Sequence, residues 1–402
     1  MKIAVIGGGS VRTPKLLIGL LHEQELLNLS EVSLMDDDVE RLELIGNLAE
    51  EMLSLSNKDC KFKITYCDDY ISAVKGADFV ISSIRVGKED GRIKDERVPL
   101  KYGVIGQETT GPGGFAMALR NIPPIVKLAR CIEVYAPNAW LISFTNPSGI
   151  ITQAVASYCN VKVIGICDAP SQLQRNLKNV YNLPDDSTFI DYFGLNHLGW
   201  IKRVVVNQSD IMPKILANIE RYVDSERCKF FTSDFIKGLG LIPNEYLYFY
   251  YYAYEAVERI RHSKITRGEM IKKINTELFS ELRRSKGENA LKVYYLYNKA
   301  RHNSYMKIDT GEFDSNQSAE YVTLRKLANI DSTEEKNIIK SITSYDRKSG
   351  GYEVIALQVI KSLLDKKGNI ITVLGKNEGS IPGLDAEDIV EVPAHISRAG
   401  RF

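Results

Sequence analysis

An α/β fold, wound on both faces of a parallel sheet, is the class this sequence predicts, from two observations. Six runs rich in β-formers, at 2–6, 32–36, 62–66, 78–84, 140–144 and 162–167, alternate with helical patterns. The first run, Lys2-Ile3-Ala4-Val5-Ile6, leads straight into Gly7-Gly8-Gly9-Ser10, and a helical pattern follows from Thr13. Parallel strands joined by helices cross over with one hand, which leaves a Rossmann-type doubly wound sheet with ligands at the carboxyl ends of its strands. Each strand end is therefore a place to look for function.

After strand one, glycines let the main chain approach a pyrophosphate closely, and the following helix offers free N–H groups and a positive dipole end. Gly7, Gly9 and Ser10 are the contact candidates. Strand two ends on Asp36, placed to accept hydrogen bonds from an adenosine ribose. The third glycine of the usual fingerprint is replaced by Arg12, so a tight turn in an unrelated α/β protein is the competing reading. Residues 38–55 set Val39, Leu42, Ile45, Leu48, Met52 and Leu55 at three- and four-residue spacing, an amphipathic helix.

Strand four is followed by Arg85-Val86-Gly87-Lys88, strand five by Thr145-Asn146-Pro147-Ser148, and strand six by Cys167-Asp168-Ala169-Pro170. The stretch from Gly103 to Gly114 is rich in glycine, which speaks against helix or strand and predicts a loop. Placed over the switch point, with Glu108 among small polar groups, it reads as functional rather than as a surface connection.

Beyond residue 185 the alternation stops. Two strand-like runs flank Gly194-Leu195-Asn196-His197-Leu198-Gly199-Trp200, and a tyrosine-rich helical stretch begins near Pro243-Asn244-Glu245-Tyr246. A further helix is expected over 268–285, polar irregular chain over 286–350, and a strand pair at 369–375 and 388–397. The expected organisation is a dinucleotide-binding domain, 1–170, and an α+β substrate lobe, 171–402.

The 402 residues carry 52 Lys plus Arg against 51 Asp plus Glu, so no overall charge favours nucleic acid or an anionic membrane. No apolar run reaches membrane-span length, and the N-terminus lacks a signal peptide's layout. Six scattered cysteines show no paired zinc spacing, which fits reduced thiols in a cytoplasmic protein.

Cys167 and His197 each close a strand-like run among polar neighbours, and thiolate plus imidazole with open positions suits a divalent metal. An isolated cysteine is more often a small core hydrophobe. Asp168 reads as a candidate acid or as a helix N-cap ahead of Pro170. Tyr246 reads as a base, given a cation nearby, or as one packing residue in a tyrosine-rich stretch.

These residues carry a resemblance. The chain is similar to the NAD- and divalent-metal-dependent glycosidases of glycoside hydrolase family four, chiefly their 6-phospho-glycosidases. The likeness runs through Gly7-Gly8-Gly9-Ser10, Ile84-Arg85-Val86-Gly87, Pro99-Leu100-Lys101-Tyr102-Gly103 and Gly106-Gln107-Glu108-Thr109. It continues through Thr145-Asn146-Pro147, Gly165-Ile166-Cys167-Asp168, Gly194-Leu195-Asn196-His197, Tyr246-Leu247 and Thr266-Arg267. The resemblance implies that Cys167 and His197 hold a metal, usually manganese, that Tyr246 is the base, and that Glu108 raises its basicity. Asn146 then contacts a substrate hydroxyl, and Arg92 and Arg267 bind substrate, apt for a sugar 6-phosphate because a guanidinium fork matches phosphate oxygens. Either arginine alone also reads as a surface ion pair.

The implied chemistry is hydride removal at C3 to NAD+, proton removal at C2 by the tyrosine, elimination at C1, addition of water and return of the hydride. The implied substrate is a small phosphorylated disaccharide or glucoside, and the implied assembly a homodimer or homotetramer. Asp168 after the metal cysteine resembles the phospho-α branch, in which it serves as acid. Gly114-Phe115-Ala116-Met117-Ala118-Leu119-Arg120, Gly194-Leu195-Asn196-His197-Leu198 and Gly350-Gly351-Tyr352 resemble the phospho-β branch, which is the reading favoured. The resemblance also implies a helical segment past Phe402, which this sequence does not contain. The competing classes are a lactate/malate-type NAD-dependent dehydrogenase and an inactive shortened paralogue.

Overall fold

A computed structural model describes residues 1–225, 229–312, 332–347 and 351–402. The six expected strands are β1 (Lys2–Ile6), β2 (Glu31–Met35), β3 (Lys63–Cys67), β4 (Phe79–Ser82), β5 (Trp140–Ser143) and β6 (Lys162–Gly165). They lie parallel in the order β6-β5-β4-β1-β2-β3, with Ile3 opposite both Val32 and Phe79. β1 is the central strand, and its Ile3, Ala4, Val5 and Ile6 are buried because helices cover both faces. That burial explains a continuous apolar run in place of alternation. The runs expected at 78–84 and 162–167 stop early, at Ser82 and Gly165. The residues beyond them leave the ladder to form the rim of a cleft.

The helices that wind the sheet are α1 (Thr13–Leu27), α2 (Val39–Ser54), α3 (Tyr70–Val74), α4 (Lys88–Lys101), α5 (Gly111–Tyr135), α6 (Ser148–Tyr158) and α7 (Asp168–Tyr181). The boundary expected between 170 and 171 falls inside α7. Another expectation needs correction: the glycines at 111–114 are not loop but the first turn of α5. A Cβ on Gly113 would lie 2.4 Å from the Gln107 carbonyl oxygen, and one on Gly114 would lie 2.5 Å from the Thr109 carbonyl carbon. These glycines serve close packing of helix against loop, which outweighs their poor helix propensity.

In the second half, β7 (Thr188–Leu195) and β8 (Leu198–Val206) form a hairpin. β9 (Ser209–Asp210) and β10 (Ile242–Pro243) join β8 to complete a second sheet. Then β11 (Asn369–Lys376), β12 (Ile389–Ser397) and β13 (Gly400–Arg401) return to the first sheet and extend it antiparallel beyond β6. Leu374 lies opposite Gly165, and β12 packs on β7. The last strands thus tie the β7–β8 hairpin to the parallel sheet.

The tyrosine-rich stretch after Pro243 is not one helix: a tight turn at Glu245–Leu247 leads to Tyr248–Tyr251 and then to Ala253–His262. The helix expected over 268–285 is present as Arg267–Leu282, started by a capping box in which Glu269 N–H donates to Thr266 Oγ1 and Thr266 N–H to Glu269 Oε2. Within the stretch expected to be irregular, Glu288–Asn303 is helical and buries Leu291, Tyr294 and Tyr297. Its apolar positions have helical spacing, but scattered lysine, arginine and asparagine obscure the pattern. Residues 313–331 and 348–350 of that stretch, and with them Gly350, lie outside the described residues, as does Cys228. No helix among the described residues is long and apolar enough to cross a membrane.

Candidate active site

The carboxyl edge of the parallel sheet opens into a cavity of about 730 Å³, and every site residue expected from the sequence lines it. At one end is the glycine turn. Gly7 has φ +91°, and a Cβ there would meet the Ser83 carbonyl oxygen at 2.6 Å. Glycine is required, because this conformation and this approach to β4 exclude a side chain. Gly9 N–H donates to Asp36 Oδ2 at 2.8 Å, and Asp38 N–H donates to Asp36 Oδ1 at 3.0 Å. Burial raises the Asp36 carboxyl above its ordinary range. Gly7, Gly9, Ser10 and Asp36 thus form one continuous wall.

The other end brings together segments far apart in sequence. Cys167 follows β6 as the N-cap of α7, and His197 sits in the β7–β8 turn with φ +63°. Both are buried, and Cys167 Sγ lies 3.6 Å from His197 Nε2. His197 Nδ1 faces Thr109 Oγ1 at 2.9 Å, which orients the ring and points Nε2 at the thiol. Burial lowers the imidazole to about 4, so it is neutral, and burial raises the Cys167 thiol well above its ordinary value. For zinc–sulfur and zinc–nitrogen bonds of about 2.3 and 2.1 Å at a tetrahedral angle, the two donors stand about 3.6 Å apart, which sets the scale for a divalent ion held by this pair. The pair therefore fits one ion with remaining positions open, and the described residues contain no group of three or more His, Cys, Asp or Glu that would close it.

Tyr246 lies flat on His197, ring centroids 3.6 Å apart and planes 2° from parallel. Burial raises its phenol above the ordinary value, with Glu245 adding to the effect. Tyr305 hydrogen-bonds to both Tyr246 and Glu245. Nothing in the sequence joins residues 246 and 305; only the packing of the helices does. The Glu108 carboxylate pairs with Arg85 and, at 2.9 Å, with Arg92 Nη1. Burial would raise this carboxyl, but the two cations prevail and pull it down to about 2. Against Tyr246 lie His197, Tyr305, Glu245, Phe249 and the buried cluster of Cys167 and Ala169.

Asp168, beside Cys167, faces Arg12 at 3.6 Å, and Arg12 lies over the Phe144 ring at 4.9 Å. The residue that replaces the third glycine thus crosses the cavity to the metal-ligand candidate's neighbour. Asn146 lines the same wall, its carbonyl accepting from Asn121 Nδ2 at 2.7 Å. Arg92 is also bound to Glu96 at 2.7 Å. Arg267 bonds neutral groups, the carbonyls of Ser304 and Arg301 and the Ser304 hydroxyl. Burial, with Arg92 and Arg301 nearby, lowers its guanidinium to about 10. A half-buried cation next to two others attracts an anion strongly.

Comparisons with known proteins show which family the chain resembles over its whole length. Residues 2–183 match the model of the family 4 glycosyl hydrolases, and residues 192–401 match that of the family's C-terminal domain. A 6-phospho-beta-glucosidase of Thermotoga maritima is 33% identical over 404 residues, covering 100% of this chain and 82% of its own length. A probable 6-phospho-beta-glucosidase of Bacillus subtilis is 36% identical over 290 residues, which span 69% of this chain and 65% of that protein. The Thermotoga enzyme's structure with manganese, NAD+ and glucose-6-phosphate superposes with a TM-score of 0.76 at 29% identity, covering 100% of this chain and 82% of that one. A fold with a glycine turn, a parallel sheet and a second α+β part, matched over both halves, places this chain in the family 4 glycosyl hydrolases.

Proposed function

We propose that this protein hydrolyses 6-phospho-glucosides, with the β anomer preferred, using NAD+ and a divalent ion such as Mn2+. The observation that carries the reading is the convergence of Cys167, His197 and Tyr246 on the cavity that begins at the Gly7–Gly9 turn. Glycines and Asp36 would hold the dinucleotide, and Cys167 and His197 the ion. When bound, these groups supply reversible hydride acceptance at C3 of the sugar and polarisation of its neighbouring oxygens. The residues of the chain do the rest. Tyr246, stacked on His197, would take the C2 proton as tyrosinate, a form that burial opposes and that the charge of a bound ion would favour; the C1 substituent leaves as the C1–C2 double bond forms, and water adds back across it. Arg267 and Arg92 anchor the phosphate, and Asn146 positions a hydroxyl beside the ion.

The β preference is supported by the likeness of residues 114–120 and 194–198 to the phospho-β branch and by the relatives named 6-phospho-beta-glucosidase, whereas Asp168 resembles the proton donor of the phospho-α branch. An α preference would make Asp168 that donor. The test is cleavage of paired chromogenic α- and β-glucoside 6-phosphates with NAD+, Mn2+ and a thiol reductant. Cleavage of the β substrate that stops without NAD+ or after chelation supports the proposal. Cleavage indifferent to both cofactors refutes the mechanism, cleavage of the α substrate alone reverses the anomer, and steady NADH accumulation points to a dehydrogenase.

A further inference from the structure

The helix Glu288–Asn303 sets Tyr294, Tyr297 and Arg301 three and four residues apart, on one face. That face packs toward the parallel sheet's domain. Both tyrosines are fully buried, and the Tyr294 hydroxyl donates to the Val11 carbonyl at 2.8 Å, just past the glycine turn. The Tyr297 hydroxyl donates to Asn275 Oδ1 at 2.9 Å, and Asn275 Nδ2 donates to Glu89 on α4. Arg301 Nη1 in turn donates to the Tyr297 oxygen at 2.9 Å. This relay of donors holds the guanidinium at the cavity wall, which Arg301 and Arg267 both line. The Arg301 carbonyl accepts from Arg267 Nη2 at 3.0 Å, so the two arginines are joined where the helix ends.

Charge separates these two from the other cations of the wall. Arg92 pairs with Glu96 and with Glu108, and Arg85 pairs with Glu108 as well, so these guanidiniums and carboxylates cancel. Among the described residues, the guanidiniums of Arg267 and Arg301 hydrogen-bond only uncharged groups. Asp309 lines the same cavity, but burial and Glu96 push its carboxyl up to about 7, which reduces its charge near neutrality. Two half-buried cations without carboxylate partners are costly unless an anion completes them. A phosphate monoester carries close to two negative charges and has oxygens enough for two guanidinium forks.

We propose that Arg301 is a specificity-determining residue: with Arg267 it supplies the two uncompensated charges that seat the phosphate of the substrate. Arg92, bound to two carboxylates, adds no net charge there. The inference rests on the reading of the substrate as a 6-phospho-glucoside. It gives the helix Glu288–Asn303 a part in choosing the substrate.

Calorimetric titration of the purified full chain with glucose 6-phosphate, in the presence of NAD+ and Mn2+, tests this. Arg301→Gln is expected to weaken binding about 10- to 100-fold, the range for a lost hydrogen bond to a charged group. Arg301→Lys keeps the charge and is expected to lose less. Added salt should weaken the wild type more steeply than Arg301→Gln, a difference that a merely structural role would not produce. NAD+ affinity near wild type in both variants shows that they are folded and that Arg301 does not serve the dinucleotide's phosphates. If Arg301→Gln does not fold, Tyr297→Phe, which removes only the bond that holds the guanidinium, carries the test with a smaller expected loss. Wild-type affinity for glucose 6-phosphate in Arg301→Gln overturns the proposal, as do equal losses in Arg301→Gln and Arg301→Lys, or a loss confined to NAD+. If the wild type itself binds glucose 6-phosphate no better than glucose, the phosphorylated-substrate reading falls, and this proposal with it.

Discussion

At the dinucleotide end of the cavity the working surface is main chain: the Gly7–Gly9 turn, with one carboxylate 27 residues downstream bonded to Gly9 N–H. At the other end it is side chains from separate segments: Cys167 after β6, His197 in a hairpin turn, Tyr246 in a tight turn and Arg267 in a first helical turn. The first end is local in sequence and tolerates only glycine; the second exists only when the two halves are packed. A dinucleotide needs close approach to the backbone, which side chains obstruct. Acid–base and metal chemistry needs chosen functional groups converging from several directions, which one turn cannot supply.

The difference can be broken, or sharpened, by variants that touch one end only. The largest expected effect is Tyr246→Phe, which should lower kcat by roughly 10²- to 10⁴-fold, the range for a lost acid–base group. NAD+ and Mn2+ affinities, measured by fluorescence and dialysis, should stay near wild type; a parallel loss of NAD+ binding would mean that the two ends are not separable.

Gly7→Ala is next. Its methyl would face the immovable Ser83 carbonyl oxygen at 2.6 Å, with an expected destabilisation of about 1–3 kcal/mol in urea unfolding, as for other overpacked sites. A variant as stable as wild type would show that the turn is looser than described.

Glu108 offers a third test, through pH. Against the opposing effect of burial, Arg85 and Arg92 depress its folded-state value from 4.5 to about 2. A depressed carboxyl contributes stability that is present above the unfolded value and lost as pH falls through the folded one. On the order of 3 kcal/mol should disappear between pH 4.5 and about 2. Glu108→Gln should flatten that part of the profile; an unchanged acid limb would exclude the two-arginine clamp.

Arg267→Lys is expected to raise KM for a phosphorylated substrate by about 10-fold with less effect on kcat, since a lysine supplies charge without the fork. Steady-state kinetics decides, and a pure kcat effect would place Arg267 in the chemistry. The smallest effect belongs to the scaffold. Arg97→Ala removes a partly exposed pair with Glu269 in the capping box of the helix that carries Arg267. The expected loss, read from urea midpoints, is below about 1 kcal/mol.

Much of this molecule is legible in its residues. The six parallel strands, the glycine turn and Asp36 follow from local patterns, because strand, turn and helix signals lie within a few residues of one another. Motifs mark Cys167, His197 and Tyr246, but carry no information on the distances between them. The first turn of α5 looks like loop in the sequence, since a glycine-rich helix start is justified by packing against Thr109 and Gln107 and not by propensity. The helix Glu288–Asn303 is hidden because its charged face masks the apolar stripe. Arg301, on that helix, and Tyr305 carry no local sign.

By itself the sequence determined the alternation, the dinucleotide turn and the identity of the chemical groups, because these depend on backbone conformation and residue type over short spans. Tertiary structure alone decided that β11–β13 return to the first sheet, that His197 lies flat under Tyr246, that Glu108 faces arginines, and that Asn196 donates its amide to Glu391. The reason is physical. Each of those arrangements is a contact across many residues of chain, selected by burial and by the need to satisfy every buried polar group at once.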